Sequence, residues 1–233
     1  MVLKNQTINL AVIEKVAVAL QELNKDMVYV GGAVVGLYVT DEGAEQPRPT
    51  KDIDISVQIN SYSQMDQLRE ALATKKIYPA EQEDVIYRYK YEDVLIDFIP
   101  SEKTPLGPTN SWLKVGFSKS LTIPIGKALI RILPVSLYLA TKWEAFKGRG
   151  NDARTSPDFE DIVYVLDNNL HLVSEVANAD KEIQFYLRKM SLEILSHPSR
   201  NEIIECHINP FTAEERSTIV LGKLEEIVLL TND

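Results

Sequence analysis

Lys51-Asp52-Ile53-Asp54-Ile55-Ser56-Val57-Gln58-Ile59 is the stretch from which the rest of the chain is read. Side chains alternate across a β-strand, so Ile53, Ile55, Val57 and Ile59 are expected on a buried face and Asp52 and Asp54 together on the other. Two carboxylates held that close repel each other, and a divalent cation in front of them keeps both ionised at least cost. The pair therefore points to a magnesium site. Upstream, Gly31-Gly32 closes an earlier apolar run, Met27-Val-Tyr-Val30.

A third acid stands inside Val94-Leu-Ile-Asp97-Phe-Ile-Pro100. An ionised side chain in such a run is penalised by roughly several kcal/mol unless it meets a cation or the solvent at a strand end. If this strand lies beside the first, Asp52, Asp54 and Asp97 converge into a ligand set for two magnesium ions and in-line attack on a nucleotide phosphate. The bland alternative makes Asp97 a polar terminus at an exposed strand end.

The chain has 233 residues, 45% hydrophobic and 25% charged, enough for one large core or two modest ones. No apolar run reaches the roughly 18 to 20 residues of a membrane span, and the start Met-Val-Leu-Lys-Asn-Gln lacks the pattern of a secretion signal. A cytoplasmic protein with no membrane partner is expected. Cys206, the single cysteine, excludes an internal disulfide and a thiolate metal cage, and reads as a small buried apolar residue. His171, His197 and His207 are too scattered for a zinc site. The net charge of −9 is uneven: residues 114–154 carry eight lysines and arginines against Glu144 and Asp152, a local +6 that leaves −15 elsewhere. Such a block can gather phosphates, or it can be a solvated helix face and loop.

Apolar steps of three and four from Ile8 to Leu23 predict an opening helix, followed by a strand at Met27–Val30 and a short apolar helix, Ala33–Val39. Thr40–Thr50, with Asp41, Gly43, Pro47 and Pro49, reads as a loop. A helix is expected from Ser63 to about Lys75. Val85, Tyr87, Tyr89 and Tyr91 alternate with polar residues, and Glu92-Asp93 then suggests a hairpin into Val94–Pro100. Pro134 suits the first turn of a helix that carries Lys142 to about Lys147, ended by Gly148 and Gly150. Ser156-Pro157 starts another, whose apolar stripe leaves Asp158 and Asp161 on one polar side. Thr212-x-x-Glu215 reads as a capping box for the last helix.

Gly31-Gly32-Ala33 with the short helix after it, and then Arg48-Pro-Thr50-Lys-Asp52-Ile-Asp54-Ile, resemble the glycine-pair and Asp-Ile-Asp signature of AbiEii-type nucleotidyltransferases, a branch of the polymerase-β-like superfamily. Lys142-Trp-Glu-Ala145, Arg149 and Asp158-Phe-Glu-Asp161-Ile are similar to later motifs of that family in the same order. The resemblance covers roughly residues 27–166. It implies an α+β fold: an N-terminal polymerase-β-like nucleotidyltransferase core over residues 1–132, a small mixed sheet flanked by helices, then a helical region, 133–233, that packs on it and completes the nucleotide pocket.

The resemblance also implies roles. Asp52, Asp54 and Asp97 would hold Mg2+, two ions in the active complex, with Asp97 helping to deprotonate or orient the attacking hydroxyl. Gly31 and Gly32 would lie at the triphosphate, where backbone amides can approach phosphate oxygens; taken alone the pair is a tight turn. Lys142 would contact the phosphates, although a lone helical lysine is ordinarily solvent-exposed. Asp158 belongs to the motif near the nucleotide and Asp161 accompanies it, but each also reads as a helix-start acid. Arg48 and Arg149 could pair with these acids or with phosphate. Ala33 stands where the family has a hydroxyl residue, and Pro157 where it has a basic one, leaving Arg154 the nearest cation.

The activity so implied is magnesium-dependent transfer of a nucleoside monophosphate from an NTP to an acceptor. In this family the acceptor is often a tRNA end, and the proteins act as toxins with a partner antitoxin or in phage defence. The rivals are transfer to a small molecule, as in aminoglycoside-modifying enzymes, and a non-catalytic binding protein of the same fold.

Overall fold

The alternation in Asp52–Val57 forms a strand as expected, with Ile53, Ile55 and Val57 buried and Asp52 and Asp54 partly open. The computed structural model describes residues 10–80, 87–102, 110–150 and 152–230; Ile8 and Val85 of the expected helix and strand lie outside them. The chain divides into two compact units, one of residues up to Val34 with Arg48–Pro134, the other of Val35–Pro47 with the residues from Val135 onward.

The first unit is built on one mixed sheet. Its strands are β1 (Met27–Val30), β2 (Asp52–Val57), β3 (Tyr78–Pro79), β4 (Arg88–Tyr91), β5 (Val94–Pro100), β6 (Leu121–Ile125) and β7 (Ala128–Ile132). They lie in the order β3-β4-β5-β2-β1-β7-β6, seven strands among the described residues. β2 runs parallel to β5 and β1 parallel to β7, while the other neighbours are antiparallel.

The sheet is mixed, as expected, and larger than expected. Strands β6 and β7 and helix α3 (Ser111–Lys119) fall in a stretch for which the sequence had suggested only a basic helix face or loop. The missed signal is the pair of apolar runs on either side of Gly126-Lys127. Gly126 takes φ +55°, and the Glu14 carboxylate accepts the Lys127 N–H at 2.8 Å, which pins that hairpin turn to helix α1 (Leu10–Leu20). Buried Val12, Ile13, Val16, Ala17 and Leu20 give α1 its inward face, after which a short 3-10 helix, Gln21–Asp26, takes up Leu23. Helix α2 (Tyr62–Thr74) starts at Ser61, whose hydroxyl accepts from Gln64 N–H while the Gln64 side chain accepts from Asn60 N–H. One of the four orphan donors at that helix start is thereby satisfied, together with the N–H just before the cap.

In the second unit, every side chain from Val135 to Trp143 of helix α4 (Val135–Arg149) is buried. Gly148 lies inside this helix; Gly150, at φ +61°, follows its end. Helices α5 (Pro157–Asn168), α6 (Leu172–Ala177) and α7 (Lys181–Leu195) all pack on α4. Helices α8 (Arg200–Glu205) and α9 (Ala213–Leu229) complete the described part. Ser156 caps α5, accepting from Phe159 N–H at 3.3 Å. At α9 the expected capping box does not form: Thr212 makes no side-chain cap and its hydroxyl donates to the Asn209 carbonyl. Cys206 is exposed, which corrects its reading as a buried apolar residue.

The 40–50 loop is irregular, as its prolines and glycine demand, yet tightly held. Thr40 and Asp41 N–H both donate to Asn168 O, Tyr164 hydroxyl donates to Glu45 O, and the ring of Tyr38 lies 4.3 Å from that of Tyr138. Arg216 of α9 ties the loop to the end of α5, donating to both Asp167 oxygens at 2.8 Å, to Asn168 and to Asp41. Lys223 donates to the carbonyls of Leu166, Asp167 and Asn169, which no longer have helical partners. Burial holds the Lys223 pKa below its ordinary value.

Arg216→Ala would leave the 92%-buried Asp167 carboxylate without its fork, its side chain being 8% exposed. Urea unfolding should show a loss of about 2–3 kcal/mol, below the ~3–5 kcal/mol of a fully buried pair because Arg216 is partly exposed.

Candidate active site

Parallel pairing of β2 with β5 sets Asp54 directly opposite Asp97 and Ile53 opposite Ile96. Partners in register point to the same face, so the three acids share one side of the sheet. Asp97 sits in the middle of β5 and is buried at 7% exposure, which removes the reading of it as an exposed strand terminus.

The cation it meets is Arg88. On the other side of β5, antiparallel β4 sets Arg88 opposite Asp97. Phe98 N–H donates to Tyr87 O, which makes Arg88–Asp97 a non-hydrogen-bonded pair, the kind whose side chains approach closest. Arg88 Nε reaches Asp97 Oδ1 at 2.8 Å and Nη2 reaches Asp97 Oδ2 at 2.8 Å, while Nη2 also reaches Asp52 Oδ2 at 3.1 Å. Thr50 hydroxyl donates to the remaining Asp52 oxygen at 3.2 Å. The Asp52 side chain is 30% exposed and that of Asp97 10%, so the group opens to solvent on the Asp52 side.

Val30 pairs with Asp54 across β1 and β2, which brings the next residue, Gly31, beneath the Asp54 carboxylate. Gly31 has φ +71°, and a Cβ there would lie 2.7 Å from Asp54 Cγ. Both conformation and space therefore require glycine. Gly32 opens the short 3-10 helix Gly32–Tyr38, and Arg48, in the same unit as the acids, is half-buried.

As they stand among the described residues, no three acidic, histidine or cysteine side chains are gathered as a ready metal cage. The donor chemistry nevertheless suits a hard cation, because carboxylate oxygens from two strands already converge on one positively charged group, the Arg88 guanidinium.

The second unit holds a separate charge cluster. Lys142 Nζ lies 2.6 Å from Asp161 and 3.2 Å from Asp158, with side-chain exposures of 7%, 1% and 5%. Arg149 pairs with the other Asp158 oxygen from the surface. The side of α5 expected to be polar is thus buried, and Lys142 is an enclosed cation rather than a solvated one. Arg154 is held by Asp152 and Glu202, which raise its pKa, and it lines a cavity of about 490 Å³ with Trp143, Phe146, Phe159 and His197. The structure therefore brings Asp52, Asp54, Asp97 and Gly31 together in one unit and Lys142, Asp158 and Asp161 in the other, with Arg154 committed to other partners. Further cations of the basic block are also ion-paired, Lys114 with Glu102 and Lys147 with Glu193.

Arg88 was missed from sequence. The signal was there: a two-residue hairpin at Glu92-Asp93 sets Tyr91 against Val94 and, counting outward, Arg88 against Asp97.

No protein-family model matches the chain, and no curated protein sequence matches it significantly. Among solved structures it is similar to an antigenic nucleotidyltransferase-like protein from Paracoccidioides brasiliensis, with TM-score 0.50 and 16% identity over 86% of this chain and 94% of that one. It also aligns with JHP933 from Helicobacter pylori, with TM-score 0.47 and 15% identity over 95% and 93% of the two chains. The fold is nucleotidyltransferase-like. At this identity the likeness extends to fold alone.

Gly31→Ala should destabilise the protein by about 1–3 kcal/mol in urea unfolding, through left-handed strain and overlap with Asp54. Lys142→Met would leave two buried carboxylates facing each other and should lose about 3–5 kcal/mol by the same measurement. In the second unit, Arg154 holds the Glu202 carboxyl below its ordinary 4.5, and hydrogen bonding to Arg154 holds Asp152 below 3.8. Both folded values are depressed, so their contribution to stability is complete above about pH 4.5 and is lost as pH falls through them. NMR titration should show the Glu202 midpoint return toward 4.5 in Arg154→Ala.

Proposed function

We propose that this protein is a magnesium-dependent nucleotidyltransferase that moves a nucleoside monophosphate from an NTP to an acceptor hydroxyl and releases pyrophosphate. The observation that carries the reading is the in-register placement of Asp54 and Asp97, with Asp52 beside them and Gly31 beneath, in a nucleotidyltransferase-like fold.

Asp52, Asp54 and Asp97 are the residues that would hold Mg2+, which when bound neutralises triphosphate charge and lowers the pKa of the attacking hydroxyl. Asp97, the most enclosed of the three, accepts or orients the acceptor proton. The Gly31-Gly32 backbone lets phosphate oxygens approach amides that a Cβ would shield. Lys142, Arg48, Arg154, Asp158 and Asp161 stand as nucleotide-binding candidates on the family resemblance. Catalysis of this kind rests on positioning and charge stabilisation, with no covalent protein intermediate.

The resemblance favours a tRNA end as acceptor and a toxin role, with an antitoxin partner or in phage defence. Transfer to a small molecule is favoured by a different observation: Lys114, Lys147 and Arg154 of the basic block are held in ion pairs, which weakens that block as an RNA-binding face.

The test is incubation of the purified protein with each α-labelled NTP, Mg2+, total RNA and a small-molecule extract, beside Asp54→Ala. Label in RNA is expected and label on a small molecule identifies the rival; absence of label from both leaves a binding protein of this fold. A toxin role predicts growth arrest on expression of the wild type and none with Asp54→Ala.

A further inference from the structure

Arg88 is given no part in the activity proposed above, yet it contacts two of the three candidate ligands, Asp97 and Asp52. Its guanidinium occupies both oxygens of Asp97 and one of Asp52. These are oxygens that a divalent cation would need, because a hard ion is bound by direct carboxylate contact at roughly 2.0–2.6 Å. A guanidinium and a doubly charged ion on the same oxygens would stand a few ångströms apart, partly enclosed, where like charges repel strongly.

We propose that Arg88 is a resident counter-cation that competes with the divalent metal for Asp52 and Asp97, so that metal is held only when Arg88 is released. The proposal rests on reading these acids as metal ligands. In the metal-free protein Arg88 offsets part of the repulsion among three carboxylates and lets Asp97 remain buried. The placement allows release: Arg88 is the first residue of β4 and its side chain is 19% exposed. The incoming triphosphate supplies the anion to receive it, since the planar guanidinium fork matches phosphate oxygens as it matches Asp97. Metal and nucleotide are then bound together. Metal alone meets an occupied site, and nucleotide alone would leave Asp52 and Asp97 without the guanidinium once Arg88 moved.

The test uses Mn2+ as the probe, with free ion followed by electron paramagnetic resonance in the absence of nucleotide. Wild type should bind weakly, and Arg88→Gln about tenfold or more tightly. A non-hydrolysable NTP analogue should tighten binding to wild type and narrow the gap. Adding Asp97→Asn to Arg88→Gln should abolish the gain, which ties it to this site. Equal or weaker Mn2+ binding by Arg88→Gln, with circular dichroism and melting midpoint unchanged, overturns the proposal. If that variant does not fold, Arg88→Lys replaces it: loss of the fork should still tighten Mn2+ binding measurably, and unchanged affinity overturns the idea. A gain in Mn2+ affinity upholds the competition even where wild type transfers no label from any NTP, a result that would sink the proposed activity alone.

Discussion

The Arg88 fork across Asp97 and Asp52 is the interaction on which the first unit depends. Asp97 lies in the middle of an apolar strand, where an ionised carboxylate without a partner is strongly disfavoured. The sheet order makes that position tolerable by placing β5 between β4 and β2, so that Asp97 has a cation on one side and Asp54 on the other. A charge pair of this kind is weak evidence for stability, because well-packed apolar residues of the same volume do as well or better.

The second unit repeats the pattern with different parts. Lys142 lies between Asp158 and Asp161, and Arg216 between Asp167, Asn168 and Asp41. In both cases α5 supplies acids on an inward side and neighbouring helices or loops supply the cation. Arg216 and Lys223 also close the end of α5 where its carbonyls run out of helical donors. The 40–50 loop is held in place by these same groups, which explains how a segment without regular structure can be ordered.

Much of this was legible in the residues because the signals are local. The β2 and β5 strands were read from alternation and from one apolar run, and the β4–β5 hairpin from Glu92-Asp93. The Ser156-Pro157 start of α5 was read from cap chemistry. Strands β6 and β7 escaped because a count of charge over residues 114–154 masked the apolar runs flanking Gly126. The α9 capping box failed because Thr212 turned its hydroxyl to the Asn209 carbonyl, a competing local bond that spacing does not reveal. Cys206 was misplaced because a general burial preference says nothing of whether the residue that ends a short helix faces the core.

The sequence by itself determined that Asp97 would carry charge in apolar surroundings, which faces of the strands would be buried, and that glycine precedes the acids. Those properties follow from side-chain type and from the two- and 3.6-residue periods of the backbone. Only the tertiary structure decided that β2 and β5 are neighbours in register, that Arg88 lies across them, and that Lys142 is enclosed by Asp158 and Asp161. Each of those facts joins residues distant along the chain, and strand order and helix packing are settled by the burial of whole faces against one another.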